Sequence, residues 1–199
     1  MAHRFLDLAF TPQVLAAQQR YYGRAQVLPP STQDDPLGPD EIAFIESRDS
    51  FYLGSVSEAG WPYIQHRGGQ AGFCKVIAPG EVMFADYKGN RQMLTTGNVA
   101  SNDRVCLFMM DYPRRERLKL LGHAEVLDAR EHSDLVAKIA TSETAGIVER
   151  LFRIRIVSFD WNCPKFITPR FTAAEVQNAV APLKARIAEL ESQLKLHTP

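Results

Sequence analysis

Lys88, Gly89, Asn90 and Arg91 stand together, directly after a short apolar run that ends in Asp86-Tyr87. They offer an ammonium, an amide and a guanidinium around a side-chain-free backbone position, and the residues that follow read as a helix start. Cationic and amide donors beside helix-start N–H groups suit an anionic phosphate. The same four residues also make an ordinary solvated turn, and their types alone leave both readings open. After the helical segment come a polar turn, Ser101-Asn102-Asp103-Arg104, and a second apolar run from Val105 to Met110. Two buried strands therefore bracket the group of donors.

The elements that must hold this segment follow from periodicity and turn chemistry. Thr11-Pro12 reads as an N-cap followed by Pro at the first helical position, with Gly23 as the stop. Leu28 to Pro39 is rich in Pro and reads as an extended connector. A second helix runs from Pro39 or Asp40 to about Arg48, with Ile42, Phe44 and Ile45 on its apolar side. From Phe51 the period shortens to two. Phe51–Val56 and Trp61–His66 flank Ser57-Glu58-Ala59-Gly60, a hairpin pattern. Phe73–Ile77 with Val82–Ala85, and Val105–Asp111 with Arg117–Leu127, make two further pairs. Arg130 to about Arg150 reads as a helix broken near Thr141–Gly146, and Phe152–Phe159 returns to strand. The fold class is mainly β with peripheral helices (α+β): a small antiparallel barrel of six or seven strands.

Charge excludes some partners. The 199 residues carry 23 Lys+Arg and 23 Asp+Glu, so no general attraction to nucleic acid or anionic membrane is expected. Basic residues cluster only locally, at Arg114, Arg115, Arg117 and Lys119. Cys74, Cys106 and Cys163 are odd in number and widely spaced, which favours buried reduced thiols over disulfides. No CxxC or HExxH spacing occurs, so no metal site is expected. The start, MAHRFLDLAF, is too short an apolar run for a signal peptide, and a cytoplasmic location is the default expectation.

The tail has a different pattern. Val176, Val180, Leu183, Ile187, Leu190 and Leu194 recur at alternating steps of four and three, an a/d seam over nearly three heptads. A helix over residues 173–196 would be roughly 35 Å long. Its seam calls for a partner, either the barrel of its own chain or the same helix of a second copy.

Four segments in order carry a resemblance: HRGGQAGF (66–73), FADYKGNRQ (84–92), LFMMDYPRRERLKLLGHAEV (107–126) and DWNCPKFITPRF (160–171). With them the chain resembles the pyridoxamine 5'-phosphate oxidase-related FMN-binding proteins, over about residues 40–171. The resemblance implies an FMN-binding split β-barrel, to which the heptad-patterned C-terminal helix is an addition. It divides the chain into an N-terminal helix and connector (1–39), the barrel domain (40–171) and the heptad-patterned helix (172–199). It further implies a homodimer with FMN in a groove between subunits.

Carried over residue by residue, the resemblance gives Arg67 on the second hairpin strand and Lys88, Asn90, Arg91 and Gln92 after the fourth strand as the phosphate-binding group. Gly68 and Gly69 would let the flavin approach the backbone, and Tyr87 would flank the ribityl chain. Arg117 takes a position from which the oxidases reach the flavin of the other subunit through a Gln; Trp161 is a candidate cover for the flavin or a core plug. His66 reads as a strand residue rather than a base, and Cys163 has no visible activating neighbour. The oxidases' C-terminal Arg-x-His substrate segment is replaced by Asp160-Trp161-Asn162-Cys163-Pro164. The implied function is an FMN-dependent oxidoreductase taking hydride from a reduced nicotinamide or small organic substrate. The alternative is a flavin, haem or deazaflavin protein that binds, stores or senses without turnover.

Overall fold

The computed structural model describes residues 3–141, 143–161 and 164–197. Alternating burial decides the strands. In β5 (Arg104–Asp111) Val105, Leu107 and Met109 point inward, and in β6 (Glu116–Asp128) Leu118, Leu120 and Ala124 do the same. With β1 (Ser50–Val56), β2 (Pro62–Gly68), β3 (Cys74–Ala78), β4 (Glu81–Tyr87) and β7 (Val148–Trp161) they form one seven-stranded sheet. Every pairing is antiparallel, in the order β2-β1-β5-β6-β7-β4-β3.

The sheet rolls onto itself. Phe51 of β1 meets Phe84 of β4 edge-on at 5.2 Å, although these strands stand second from opposite ends of the strand order. Phe84 in turn stacks on Phe152 of β7 at 5.1 Å. Edge strands β2 and β3 are not paired with each other, so the barrel is split. Its wall bends where β6 shifts register against β7 between Leu121 and Gly122. A Cβ at Gly122 would lie 2.5 Å from the Arg155 carbonyl oxygen, so only glycine fits that approach.

Helices close the outside. α1 (His3–Ala9) precedes α2 (Pro12–Tyr22), whose Thr11 cap accepts a bond from the Val14 N–H and whose Gly23 stop has φ +70°. α3 (Pro39–Glu46) buries Phe44 and Ile45 against the barrel core, and Arg48 just beyond it pairs with Asp111 of β5 at 2.8 Å. α4 (Leu94–Ser101) links β4 to β5, α5 (Ser133–Ile139) follows β6, and α6 (Ala173–His197) is the long C-terminal helix.

Two local expectations change. α1 is an additional helix that the sequence pattern did not mark. The segment expected to be helical up to about Arg150 instead contains α5, a single 3₁₀ turn at Ala145–Ile147, and then strand from Val148. Long-range pairing overrides the local pattern there, because Arg150 stands opposite Asp86 of β4 on one side and Asp128 of β6 on the other. The heptad seam of α6 stays outside the barrel: Val176, Leu183, Ile187, Leu190 and Leu194 are 41–68% exposed.

Candidate functional site

The last two residues of β4 begin the site. The buried carboxylate of Asp86 lies between two guanidinium groups: it accepts from Arg67 of β2 and, at 2.7–2.9 Å, from Arg150 of β7. The Arg67 guanidinium also lies over the Phe152 and Phe84 rings, 5.0 and 5.7 Å from their centroids. A cation over an aromatic face is favourable, so Arg67 is held by core rings on one side and a carboxylate on another. Arg150 makes a further contact with Glu149 at 3.2 Å.

The loop from Lys88 to Met93 then turns tightly. The Lys88 N–H donates to the Ile147 carbonyl at 3.0 Å, and the Asn90 side-chain oxygen accepts from the Gln92 N–H at 3.1 Å. Arg91 and Met93 both adopt left-handed backbone, with φ of 61° and 59°. Neither is glycine, so each costs on the order of 1–2 kcal/mol that the surrounding contacts must offset. Those contacts come from α4: Thr95 donates to Gln65 of β2 at 2.7 Å, and Asn98 to Ser55 of β1 at 3.0 Å.

Together these residues enclose a cleft of about 260 Å³. Arg67, Arg91 and Arg150 line it with one carboxylate, Asp86, a surplus of two positive charges on the lining, and Glu149 just outside the lining pairs with Arg150 at 3.2 Å. Among the described ion pairs Arg91 takes part in none, whereas Arg67 and Arg150 are already committed to Asp86.

Of the expected residues, the structure brings Arg67, Tyr87, Asn90, Arg91 and Gln92 to this cleft. Lys88 sits in the same loop but is exposed and does not line it. Gly68 and Gly69 lie at the end of β2 and just beyond, where a Cβ on Gly69 would come within 2.7 Å of the Phe73 side chain. The loop's own packing thus already requires a glycine at that position. Arg117 and Trp161 are at the other end of the barrel. Trp161 pairs with Leu118 and stands eleven residue steps along β7 from Arg150, roughly 36 Å along the strand. There its indole N–H donates to Glu41 at 2.6 Å and its ring meets Phe44 edge-on at 4.8 Å. Arg117 lies with its guanidinium over Phe108, 5.3 Å from the centroid.

Other groups take structural places. His66 meets Tyr52 edge-on at 5.7 Å. Burial pushes the Cys74 thiol up to about 12, and burial also raises Cys106. Cys163 lies outside the described residues. No group of three or more His, Cys, Asp or Glu among the described residues could hold a metal ion. No helix among them is long and apolar enough to cross a membrane. Sequence reasoning missed Arg150, Gln65 and Thr95. Arg150 had no local signal, since it reaches Asp86 across 64 residues through the β4–β7 pairing.

A seven-stranded split barrel with a cationic cleft between β2, β4 and the start of α4 is the class that this geometry defines. Residues 37–158, more than half of the chain, match the family model described as pyridoxamine 5'-phosphate oxidase, and the chain belongs to that family. No curated protein matches it. Among solved structures, it is similar to a protein of Lactobacillus delbrueckii described as a pyridoxamine 5'-phosphate oxidase. That pair is 18% identical with a TM-score of 0.49, over 63% of this chain and 93% of the other. General stress protein 26 from Bacillus anthracis is 14% identical, with a TM-score of 0.47 over 65% and 92%. An FMN-binding protein from Syntrophomonas wolfei is 7% identical, with a TM-score of 0.43 over 61% and 86%.

Proposed function

We propose that this protein is an FMN-binding flavoprotein, with the FMN phosphate held in the cleft between β2, β4 and α4. The observation that carries the reading is the surplus of two positive charges around that cleft. A phosphate monoester at neutral pH brings about −1.5 to −2, opposite in sign to this lining. Arg91 supplies the donor not already committed to a carboxylate, Arg150 and Arg67 supply field, and Asn90 and Gln92 supply amide groups. Asp86 holds the two committed guanidinium groups in place and keeps the site from becoming over-cationic.

The cleft, at about 260 Å³, falls just short of the roughly 300–1,000 Å³ of pockets that bury a drug-sized ligand. It suits the phosphate end of FMN, and the ring system needs additional surface. In a homodimer that surface would come from the second subunit, which is where the family resemblance puts Arg117. Bound FMN supplies hydride and electron chemistry. The residues of this chain bind it, orient it and shield its phosphate from water. No His, Lys or Cys lines the cleft, so protein-supplied acid–base chemistry is sparse there, in keeping with hydride transfer from a reduced nicotinamide or small organic substrate. That same sparseness also fits a second reading: flavin or deazaflavin binding, storage or sensing without turnover. Reduction of the bound flavin by NADPH at a catalytically useful rate supports the oxidoreductase, and a flavin that stays oxidised supports the binder.

The binding test is a titration of Arg91→Ala with FMN and with riboflavin. Losing a hydrogen bond to a charged group costs roughly 1.5–3 kcal/mol, about tenfold to a hundredfold in Kd. Riboflavin, without the phosphate, should lose little. Equal losses for both ligands would remove the phosphate from this cleft.

A further inference from the structure

The barrel buries its apolar residues; α6 does not. Val176, Leu183, Ile187, Leu190 and Leu194 lie on one seam of the helix and are 50%, 63%, 56%, 41% and 68% exposed. Unpartnered, the helix is poorly supported. Pro182 stands inside it, removing a donor to the carbonyl four residues earlier at Asn178, and an interior Pro costs about 3 kcal/mol. Most helical stability in proteins comes from packing of an amphipathic face, and the seam of α6 is exposed. A covered seam would offset that cost.

The side chains say which cover fits. With steps of four and three, Val180, Ile187 and Leu194 fall at a positions and Val176, Leu183 and Leu190 at d positions. At the central positions Val180 and Ile187 at a with Leu183 and Leu190 at d follow the pattern that favours two parallel strands. The flanking charges agree. Arg186 occupies a g position and Glu191 the following e position, which face each other between the chains of a parallel, in-register pair. Within one chain Arg186 reaches only Glu189, at 2.7 Å, an exposed pair of the kind that contributes little. Outward f positions hold Asn178, Ala185 and Ser192, small or polar residues suited to solvent.

We infer that α6 is one strand of a parallel, in-register, two-stranded coiled coil formed with α6 of a second copy of this chain. The two-fold axis of such a dimer runs along the coiled coil. Both C-termini then leave at the same end, and each barrel is held at high effective concentration beside the other. This inference stands on the helix alone and does not depend on flavin binding.

Cross-linking of the full-length chain tests it, in a background where Cys106 and Cys163 are replaced by Ser. Leu183→Cys and Leu190→Cys are made separately and oxidised mildly. A disulfide requires Cα atoms about 4.4–6.8 Å apart, so a parallel in-register pair lets each variant cross-link to itself, doubling the mass on a non-reducing gel. An antiparallel pair sets a residues against d residues, so it would instead link Leu183→Cys to Ile187→Cys in a mixture of those two variants, and that result overturns the inference. Absence of any cross-link, with the helix content of the chain intact by circular dichroism, overturns it as well. The charge register has its own readout. Glu191→Arg should reduce self-cross-linking of the Leu190→Cys chain, and adding Arg186→Glu should restore it. A yield that neither change moves overturns the assigned register.

Discussion

The two ends of β7 are built to different rules. At its start Arg150 shares the Asp86 carboxylate with Arg67 beside a cleft that remains open. At its finish Trp161 fills the gap under α3, with its N–H on Glu41 and its ring against Phe44. One end gathers guanidinium groups around a cleft; at the other the indole N–H is satisfied within the chain, beside a hollow of about 470 Å³ lined by Phe44, Ser47, Arg114 and Trp161. A ligand site needs the first arrangement, and a lid over a core needs the second. Among the described residues the β2–β4–α4 cleft is thus the candidate phosphate site, and Arg117 and Trp161 do not line it.

The strongest way to break this contrast is Asp86→Asn. It leaves two poorly exposed guanidinium groups without their carboxylate, and removing one partner of a buried pair costs about 3–5 kcal/mol. Urea unfolding should show that loss, and added FMN should recover part of it by supplying an anion at the same place. If FMN recovers none of it, the charged end is purely structural.

Between the two ends lies the core, where Cys74 is fully buried. Its thiol is raised from 9.0 to about 12 in the folded chain, so above about pH 9 the unfolded state ionises first. The native state then binds more protons, and stability falls as pH rises, by up to about 1.4 kcal/mol per pH unit between roughly 9 and 12. Below pH 9 this contribution is constant. Urea titrations of the natural chain and Cys74→Ala at pH 8 and 10 should show a steeper decline for the natural chain, and identical slopes would contradict the burial.

The smallest expected effect is at the Trp161 end. Trp161→Phe keeps the ring and loses the hydrogen bond to Glu41, about 1 kcal/mol, or roughly 2–4 °C in melting temperature. FMN affinity should not change. Were it to fall together with stability, Trp161 would belong to the flavin site of the partner.

Much of this contrast can be read from sequence. Alternation in Val105–Asp111 and Arg117–Leu127, with turn residues between strands, is a local signal, and those strands formed where the alternation put them. The donors from Asn90 to Gln92 and Arg67 were legible by residue type and motif, and they converge on one cleft. Arg150 was not legible. It lies in a stretch whose neighbours suit a helix, and only its pairing with β4 and β6 makes it strand and brings it to Asp86. The locked position of Trp161 was also hidden, because Glu41, its acceptor, lies 120 residues away.

Gly122 ties these observations together. The missing side chain there lets β6 and β7 close to a distance that one additional carbon would forbid, and the sheet bends at that point. Because the sheet bends, its first strand comes back to its sixth, and Arg67 can reach Asp86. The candidate binding cleft is thus shaped in part by an atom that is absent from the opposite wall. A substitution at Gly122 would act on ligand affinity by changing the curvature of the wall, with no residue of the cleft altered.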